Sequence, residues 1–227
     1  MEKKKFVKSE IMEKILEGIY SEGKSIYTKA LVNEKVYGER ILEIKSEAYR
    51  EWNPYKSKYC AGIKNGLNKN VFFKGATVLY LGSAEGTTVS HVSDIVEEEG
   101  IIFCVDISEI AMQKLTKLAT KMENLFPILA DAQNVGQYSS DVGKVDVLFQ
   151  DISQRNQAEI FVKNSDALKK GCYGVLSLKT RSISSSESKK KILDAETKKL
   201  EEKFEIGQIV SLEPYEKEHY MILAKKK

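Results

Sequence analysis

The spacing of hydrophobic and polar residues divides this chain into two parts. Up to about residue 50, short apolar pieces are separated by glycines, a pattern typical of strands joined by tight turns. The pieces are Glu17–Tyr20, Ser25–Thr28 and Glu39–Ile44. Trp52–Asn53–Pro54 then interrupts the pattern, because the residue before a proline disfavours helix. We therefore predict a small β-rich module over residues 1–52 and a second domain over residues 53–227.

From about Lys58 onward, apolar runs typical of buried strands alternate with stretches of helical periodicity. The five predicted strands of this series are Thr77–Leu81, Ile101–Val105, Phe126–Leu129, Lys144–Phe149 and Gly174–Leu178. The predicted helices are Thr87–Glu98, Ser108–Lys121 with Ser108 as N-cap, Asn156–Leu168 and a charged helix over roughly Ser186–Lys203. Two final strands, Ile206–Leu212 and His219–Ala224, are joined by a turn too short for a crossover and must therefore be antiparallel.

This order of elements predicts an α/β fold. Successive strand–helix units form a parallel sheet that helices cover on both faces, and the final hairpin adds antiparallel strands to it. The arrangement resembles that of class I methyltransferases and differs from that of ordinary dehydrogenases. We therefore expect a Rossmann-like class I domain that binds S-adenosylmethionine, with a mostly parallel sheet ending in an antiparallel hairpin. The small N-terminal β module precedes it.

Composition limits the class of protein further. Of the 227 residues 42% are hydrophobic, yet no apolar run has the length of a membrane span. The charged N-terminus is not followed by an apolar stretch, so we predict no secretory signal. The three cysteines are scattered without a C-x-x-C pair, which argues against a metal site or a disulfide framework and for an intracellular, reducing compartment. The net charge of +3 is too close to balance to establish a nucleic-acid partner.

Residues that follow the predicted strands are candidates for ligand contacts, because ligands bind beyond the carboxyl ends of parallel strands. The first such loop, Gly82–Gly86, has the spacing G-x-x-x-G, which is neither the dinucleotide fingerprint nor a P-loop. Asp106, Asp131 and Asp151 follow three further strands. Asp106 can accept hydrogen bonds from two ribose hydroxyls, and Asp131 with Ala132 can receive the exocyclic amine of adenine. Each aspartate alone could instead cap a helix, but the set of three favours a ligand site.

The segment Leu79–Val96, LYLGSAEGTTVSHVSDIV, resembles the fibrillarin signature around the cofactor loop. Further matching segments are Arg50–Lys58, Pro127–Ala132, Asp151–Glu159, Lys179–Ile183 and Leu212–His219. The resemblance covers nearly all of residues 50–227 in the family's order and spacing, and the first fifty residues fit the family's small N-terminal β domain more loosely. The glycine- and arginine-rich tail of eukaryotic members is absent. The chain therefore resembles the shorter archaeal form, which implies a location in an archaeal cytoplasm.

This resemblance implies an enzyme that transfers a methyl group from S-adenosylmethionine to ribose 2′-hydroxyls of rRNA, and of tRNA, as the catalytic subunit of a box C/D ribonucleoprotein. The partners that it implies are box C/D guide RNA, target RNA, a Nop-type scaffold protein and a kink-turn-binding ribosomal-type protein. Whether the chain forms homo-oligomers is left open. Two alternatives also remain: a protein (glutamine) methyltransferase, and a structural subunit of the ribonucleoprotein without catalytic activity.

Site residues are implied by the same resemblance. The cofactor contacts are Gly82, Ala84, Thr87, Thr88, Asp106, Ile107, Asp131, Ala132, Asp151 and Gln154. The catalytic set is Lys58, Asp151, Lys179 and His219. In this set Asp151 accepts the proton of the hydroxyl and Lys179 holds the 2′-oxygen, while Lys58 orients Asp151 and His219 completes the hydrogen-bond network. Phosphate contacts are expected from Arg155 and Arg181, and no metal ligand is expected.

The sequence departs from the family's usual pattern at three places. Asp106–Ile107 stands where Glu-Phe is usual. The aspartate reaches less far toward a ribose, and isoleucine cannot stack on adenine as phenylalanine would. Glu85 replaces a small polar residue, and Ile152–Ser153 replaces Val-Ala. These changes bear on the affinity for the cofactor more than on the reaction.

Overall fold

The fold is that of a computed structural model, which describes residues 12–227. Within this range a five-stranded antiparallel sheet precedes a seven-stranded, mostly parallel sheet. The strands of the smaller sheet lie in the spatial order β1-β2-β3-β5-β4. They are β1 (Glu13–Leu16), β2 (Ile19–Glu22), β3 (Ser25–Lys29), β4 (Ile41–Ile44) and β5 (Glu47–Trp52). The last of them ends where the sequence predicts a domain boundary, and the division of the chain into two domains stays a prediction.

The larger sheet has the strand order β11-β12-β10-β9-β6-β7-β8. Its strands are β6 (Thr77–Leu81), β7 (Ile101–Asp106), β8 (Leu125–Leu129), β9 (Val145–Gln150), β10 (Leu168–Lys179), β11 (Phe204–Ser211) and β12 (His219–Lys226). Strands β6 to β10 pair in parallel, whereas β12 lies between β10 and β11 and is antiparallel to both. The predicted sheet, mostly parallel with an antiparallel hairpin at its end, is therefore confirmed.

Helices connect the strands of this sheet. They are α1 (Lys58–Lys64), α2 (Thr87–Val96), α3 (Glu109–Ala119), α4 (Ser139–Val142), α5 (Gln157–Asn164), α6 (Thr180–Ile183) and α7 (Lys189–Leu200), with a 3₁₀ turn over Val135–Gln137. As predicted, Ser108 caps α3, since its Oγ accepts a hydrogen bond from the Ala111 amide. None of the helices within residues 12–227 has the length and apolarity needed to cross a membrane.

Both faces of the larger sheet are buried, as the continuous apolar runs of its strands require. Along β6, Val78 and Tyr80 belong to one hydrophobic cluster, whereas Leu79 and Leu81 belong to another on the opposite face. Alternate side chains of a strand point to opposite faces. The strand is therefore covered on both sides, and only the ends of the sheet remain open to a ligand.

Several predicted boundaries were wrong for reasons visible in the fold. The predicted strand Glu17–Tyr20 spans the turn between β1 and β2, because Leu16 pairs with Ile19 across it. Strand β5 was missed because its buried positions include a charged residue, Arg50. The short helix α1 and the elements between β8 and β9 were also missed, since each is too brief to show helical periodicity.

The connection between β9 and β10 was assigned incorrectly. The predicted helix Asn156–Leu168 ends at Asn164, and β10 begins at Leu168 instead of Gly174. The first part of β10 is irregular, with a register shift between Leu168 and Tyr173 that interrupts the alternation expected for a strand. The predicted helices Thr87–Glu98 and Ser186–Lys203 are likewise shorter, as the bounds of α2 and α7 show.

A buried polar network joins the smaller sheet to α2. The guanidinium of Arg50 is fully buried and donates to Glu39 Oε1 at 2.7 Å and to Asp94 Oδ2 at 3.0 Å. It also donates to Ser90 Oγ at 2.8 Å, and Thr28 Oγ1 donates to Asp94 Oδ2 at 2.6 Å. The loop Gly82–Gly86 connects β6 to α2. By holding α2 in place, this network therefore also fixes the end of that loop.

Candidate active site

The direction in which the chain adds strands to the larger sheet reverses at β6. The chain proceeds from β6 outward to β7 and β8 and then returns to β9 on the other side of β6. Such a reversal opens a crevice at the carboxyl ends of the strands. Gly82 follows β6 and Asp151 follows β9, and the Asp151 amide donates to the Leu81 carbonyl at 2.8 Å. Gly82 has a φ of +82°, and a Cβ atom at this position would collide with the Asp151 carbonyl, so glycine is needed for the two loops to meet.

A cavity of about 500 Å³ lies at this edge of the sheet, which is within the range of small-molecule sites. Its lining contains ten of the residues that the sequence singles out. These are Lys58, Gly82, Ala84, Asp106, Ile107, Asp131, Ala132, Asp151, Gln154 and Lys179. The fold therefore gathers at one place residues that lie more than a hundred positions apart in the sequence.

Asp151 lies between two ammonium groups. Lys58 Nζ donates to Asp151 Oδ2 at 3.1 Å, and Lys179 Nζ lies 3.0 Å from Asp151 Oδ1. The Lys179 ammonium also donates to Ser153 Oγ at 2.9 Å. Within residues 12–227, no well-aligned hydrogen bond reaches Asp151 Oδ1, although the aspartate side chain is only 15% exposed. This oxygen therefore retains the capacity to accept a hydrogen bond from a ligand in the cavity.

Two opposing effects set the pKa of Asp151. Burial alone raises the pKa of this carboxyl, but the positive charges of Lys58 and Lys179, together with the hydrogen bond from Lys58, outweigh burial. The pKa of Asp151 is consequently lower than its ordinary value of 3.8. The carboxylate is therefore ionised at neutral pH and can accept a proton.

Local structure places Lys58 beside Asp151. Ser57 caps α1, since its Oγ accepts from the Cys60 amide at 3.3 Å, and Lys58 is the first residue of the helix. The Thr88 hydroxyl donates to the same Ser57 Oγ at 3.0 Å. This contact ties the first turn of α2 to the first turn of α1, and Thr88 itself does not line the cavity.

Asp106 is fixed by its own loop. One carboxylate oxygen accepts from the Ala84 amide at 2.8 Å, and the other accepts from the Ser108 amide at 2.9 Å. Each oxygen has a second lone pair, so the carboxylate can still accept hydrogen bonds from a ribose. Ile107 is 64% exposed at the rim of the cavity. The loop thus combines an acceptor and an apolar surface, as an adenosine group requires.

Asp131 and Gln154 form the opposite part of the wall. Asp131 Oδ1 accepts from the Gln133 amide at 2.9 Å and from Gln154 Nε2 at 3.1 Å. Gln154 Oε1 is buried and has no hydrogen-bond partner among the residues that the structure describes. Buried polar atoms are rarely left unpaired. The Asp106 carboxylate and this unpaired amide oxygen thus belong to two residues of the cavity lining that can accept hydrogen bonds.

Five of the predicted site residues lie outside the cavity lining, and Thr88, described above, is one of them. Thr87 lines a neighbouring cavity of about 510 Å³ beside the smaller sheet. His219 is directly opposite Lys179 in the β10–β12 pairing, but its Nδ1 bonds to the Lys217 carbonyl at 2.7 Å. Arg155 is exposed, and Arg181 is exposed with an ion pair to Glu218 at 3.5 Å.

The helix-capping alternative for the three aspartates receives limited support. Asp106 and Asp131 each bond to the amide two residues ahead and so order their own turns. Asp151 does not cap the following helix, because α5 begins only after Asn156. Its carboxylate lies instead between the ammonium groups of Lys58 and Lys179. Three residues that matter for this geometry were not predicted as site residues: Ser57, Ser153 and Gln157. Of these, Ser153 was visible only as a departure from the usual alanine.

Comparisons with known proteins agree with the geometry. The fibrillarin family profile matches residues 7–227. The chain is 46% identical over 203 residues to the fibrillarin-like rRNA/tRNA 2′-O-methyltransferase of Thermococcus sibiricus, covering 88% of this chain and 90% of that relative.

Solved structures give the same result. Aeropyrum pernix fibrillarin in complex with natively bound S-adenosyl-L-methionine matches with a TM-score of 0.87 and 37% identity, over 94% of this chain and 97% of that one. A fibrillarin/Nop5p complex matches with a TM-score of 0.87 and 36% identity, over 95% of this chain and 100% of that one. The predicted resemblance and the predicted methyltransferase fold are thereby confirmed. This chain belongs to the fibrillarin family.

Proposed function

We propose that this chain is an S-adenosylmethionine-dependent RNA 2′-O-methyltransferase that acts as the catalytic subunit of a guide-RNA ribonucleoprotein. The observation that supports it most directly is the Asp151 carboxylate in the cavity lining, ion-paired to Lys58 and Lys179. An ionised acceptor beside a fixed ammonium is the arrangement needed to deprotonate an alcohol. The rRNA/tRNA 2′-O-methyltransferase activity named for the Thermococcus sibiricus relative supplies the substrate class.

The residues of the chain have the following roles in this proposal. Asp151 accepts the proton of the ribose 2′-hydroxyl, and the Lys179 ammonium stabilises the negative charge that develops on the oxygen. Lys58 holds the carboxylate in place through its bond to Oδ2. His219, opposite Lys179 in the sheet, completes the network once RNA covers the site. S-adenosylmethionine, when bound, supplies an electrophilic methyl group.

The cofactor is held by the two sides of the cavity. Asp106 accepts hydrogen bonds from the ribose hydroxyls of the adenosine, and Ile107 contacts its base. Asp131, Ala132 and Gln154 receive the adenine amine on the other side. Gly82 and Ala84 let the backbone pass close to the ligand, and Thr87 and Thr88 order the helix that begins at this loop.

The partners follow from the same proposal. A Nop-type scaffold is supported by the relative that was solved as a fibrillarin/Nop5p complex. Box C/D guide RNA, target RNA and a kink-turn-binding protein complete the particle, with Arg155 and Arg181 as exposed phosphate contacts. The cytoplasm is the predicted location, and residues 1–52 and 53–227 are the predicted domains.

The test is methyl transfer in the assembled particle. Wild-type chain, guide RNA and the partner proteins are combined with target RNA and labelled S-adenosylmethionine, and Asp151→Asn is compared with Asp166→Asn. Asp166 is also an ion-paired aspartate, bonded to Lys203 at 2.8 Å, but it is exposed and does not line the cavity. We expect one ribose to be methylated, with a loss of roughly 10²- to 10⁴-fold in Asp151→Asn alone.

Other results would contradict parts of the proposal. Cofactor binding without methyl transfer in the wild-type particle would favour the structural-subunit alternative. Label on protein and not on RNA would favour a protein methyltransferase. Equal losses in the two variants would show that Asp151 does not act as the proton acceptor.

A further inference from the structure

A buried glutamine holds the backbone of Lys179. Gln157 is the first residue of α5 and has no exposed surface. Its Nε2 donates to the Lys179 carbonyl at 3.1 Å, and its Oε1 accepts from the Lys179 amide at 2.9 Å. One side chain thus satisfies both main-chain groups of a residue 22 positions away in sequence.

The sheet explains why Lys179 needs this partner. The parallel pairing of β9 with β10 ends at Gln150 and Leu176, because the chain leaves the sheet after Gln150 to enter the loop of the cavity. On the other side, the Thr180 amide donates to the Glu218 carbonyl of the β12 side. Main-chain groups of neighbouring residues in an antiparallel pair point in alternate directions. The main-chain groups of Lys179 therefore point away from β12, toward the side where β9 no longer pairs with β10. There they bond to the Gln157 side-chain amide.

Hydrogen bonds with two other elements hold Gln157 in place. Gln150 Nε2 donates to the Gln157 carbonyl at 2.8 Å, and the neighbouring Ala158 amide donates to Glu196 Oε2 at 3.1 Å. The side chain that holds Lys179 is therefore attached both to the end of β9 and, through α5, to α7. The end of β9 also precedes Asp151, so a single connection sets the relative position of the two charged residues.

We propose that Gln157 is a positioning residue for the reaction, which fixes the backbone of Lys179 so that its ammonium remains beside Asp151. The inference rests on the proposed function, since it assigns a role to Lys179 within it. The side chain of Gln157 is not part of the cavity lining. Its effect on the reacting groups passes through the position of Lys179, whose Nζ lies 3.0 Å from Asp151 Oδ1.

The test compares Gln157→Met with Gln208→Met. Methionine keeps the size of glutamine and removes both hydrogen bonds. Gln208 is a matched control, because its amide also bonds two main-chain groups, the Gly66 carbonyl at 2.8 Å and the Asn68 amide at 3.1 Å, but on β11. Both variants are made in the full chain. The kcat and KM for target RNA are measured in the assembled particle, and the affinity for S-adenosylmethionine is measured by calorimetry.

We expect kcat to fall roughly 10- to 100-fold in Gln157→Met, as for other small displacements of a reacting group, with little change in cofactor affinity. The pKa of Asp151, followed by carboxyl ¹³C NMR on the full chain, should rise in Gln157→Met and stay unchanged in Gln208→Met. The rise is expected because the Lys179 ammonium no longer stays beside the carboxylate.

Unchanged kcat and an unchanged Asp151 pKa in Gln157→Met would overturn the inference, since the glutamine would then only support the fold. If Gln157→Met does not fold, Gln157→Asn replaces it, because the shorter amide remains polar but cannot reach both groups of Lys179. If wild type transfers no methyl group, the proposed function fails. The pKa comparison would still decide whether Gln157 positions Lys179.

Discussion

Lys58 and Asp151 are 93 positions apart in the sequence, and the Lys58 ammonium donates a 3.1 Å hydrogen bond to the Asp151 carboxylate. Lys58 is the first residue of α1, directly after its Ser57 cap, and Asp151 directly follows the end of β9. Their contact joins the segment after the smaller sheet to the centre of the larger one. It also keeps a carboxylate ionised although its side chain is only 15% exposed.

The first prediction concerns pH. Because the folded-state pKa of Asp151 lies below its ordinary value of 3.8, the ionised carboxylate stabilises the fold above that pH, and the stabilisation is lost as the pH falls through the lower folded-state value. Lys58→Met should therefore lower Tm more at pH 7 than near pH 2. Thermal unfolding at both pH values measures this, with Lys198→Met on the exposed face of α7 as the control. Equal losses at both pH values would contradict the ion-pair explanation.

The second prediction concerns the contact between two loops. In Gly82→Ala the new methyl group meets the Asp151 carbonyl, so the loop must shift and cofactor binding should be lost. Gly75→Ala provides the comparison, because Gly75 has a similar φ of +77° but no atom within 4 Å of the added Cβ. Backbone strain alone costs about 1–3 kcal/mol in either variant. Calorimetric titration with S-adenosylmethionine should detect binding in Gly75→Ala only, and similar affinities in the two variants would refute the prediction.

The third prediction concerns the departure from the family at the cavity rim. Ile107→Phe places an aromatic ring where adenine is proposed to bind, and an aromatic contact contributes about 0.5–1.5 kcal/mol, or roughly two- to tenfold in affinity. Ile110 is similarly exposed, at 70%, but lies on α3 outside the cavity lining. Ile110→Phe should leave the affinity for S-adenosylmethionine unchanged. A gain in both variants, or in neither, would argue against adenine binding beside Ile107.

The fourth prediction concerns the network beneath α2. Arg50→Met leaves Glu39 and Asp94 buried without their cation, which should cost about 3–5 kcal/mol of unfolding free energy. Arg40→Met breaks a surface ion pair with Glu22 and should cost about 1 kcal/mol or less. Urea unfolding measures both changes. If the two variants lose similar amounts, the buried network does not secure the smaller sheet on α2.

The sequence alone determined the class of fold and most of the cavity. Continuous apolar runs in β6, β7 and β9 identify strands buried on both faces, and the short link between β11 and β12 requires an antiparallel pair. These signals lie within single segments of the sequence, so they can be recognised without knowing which strands pack beside them. The residues after the strand ends are equally visible, because a parallel sheet brings all of its carboxyl ends to one edge.

The strand β5 and the role of Gln157 became visible only in the tertiary structure, because neither produces a hydrophobic pattern in its own segment of sequence. The buried charge of Arg50 concealed β5, since a strand that buries an arginine against two carboxylates does not alternate in hydrophobicity. Gln157 resembles any polar residue at a helix start, and its role depends on β9 leaving the sheet one residue before Asp151. Contacts of this kind depend on which main-chain groups remain unpaired, and that is fixed only when distant strands have taken their places in the sheet.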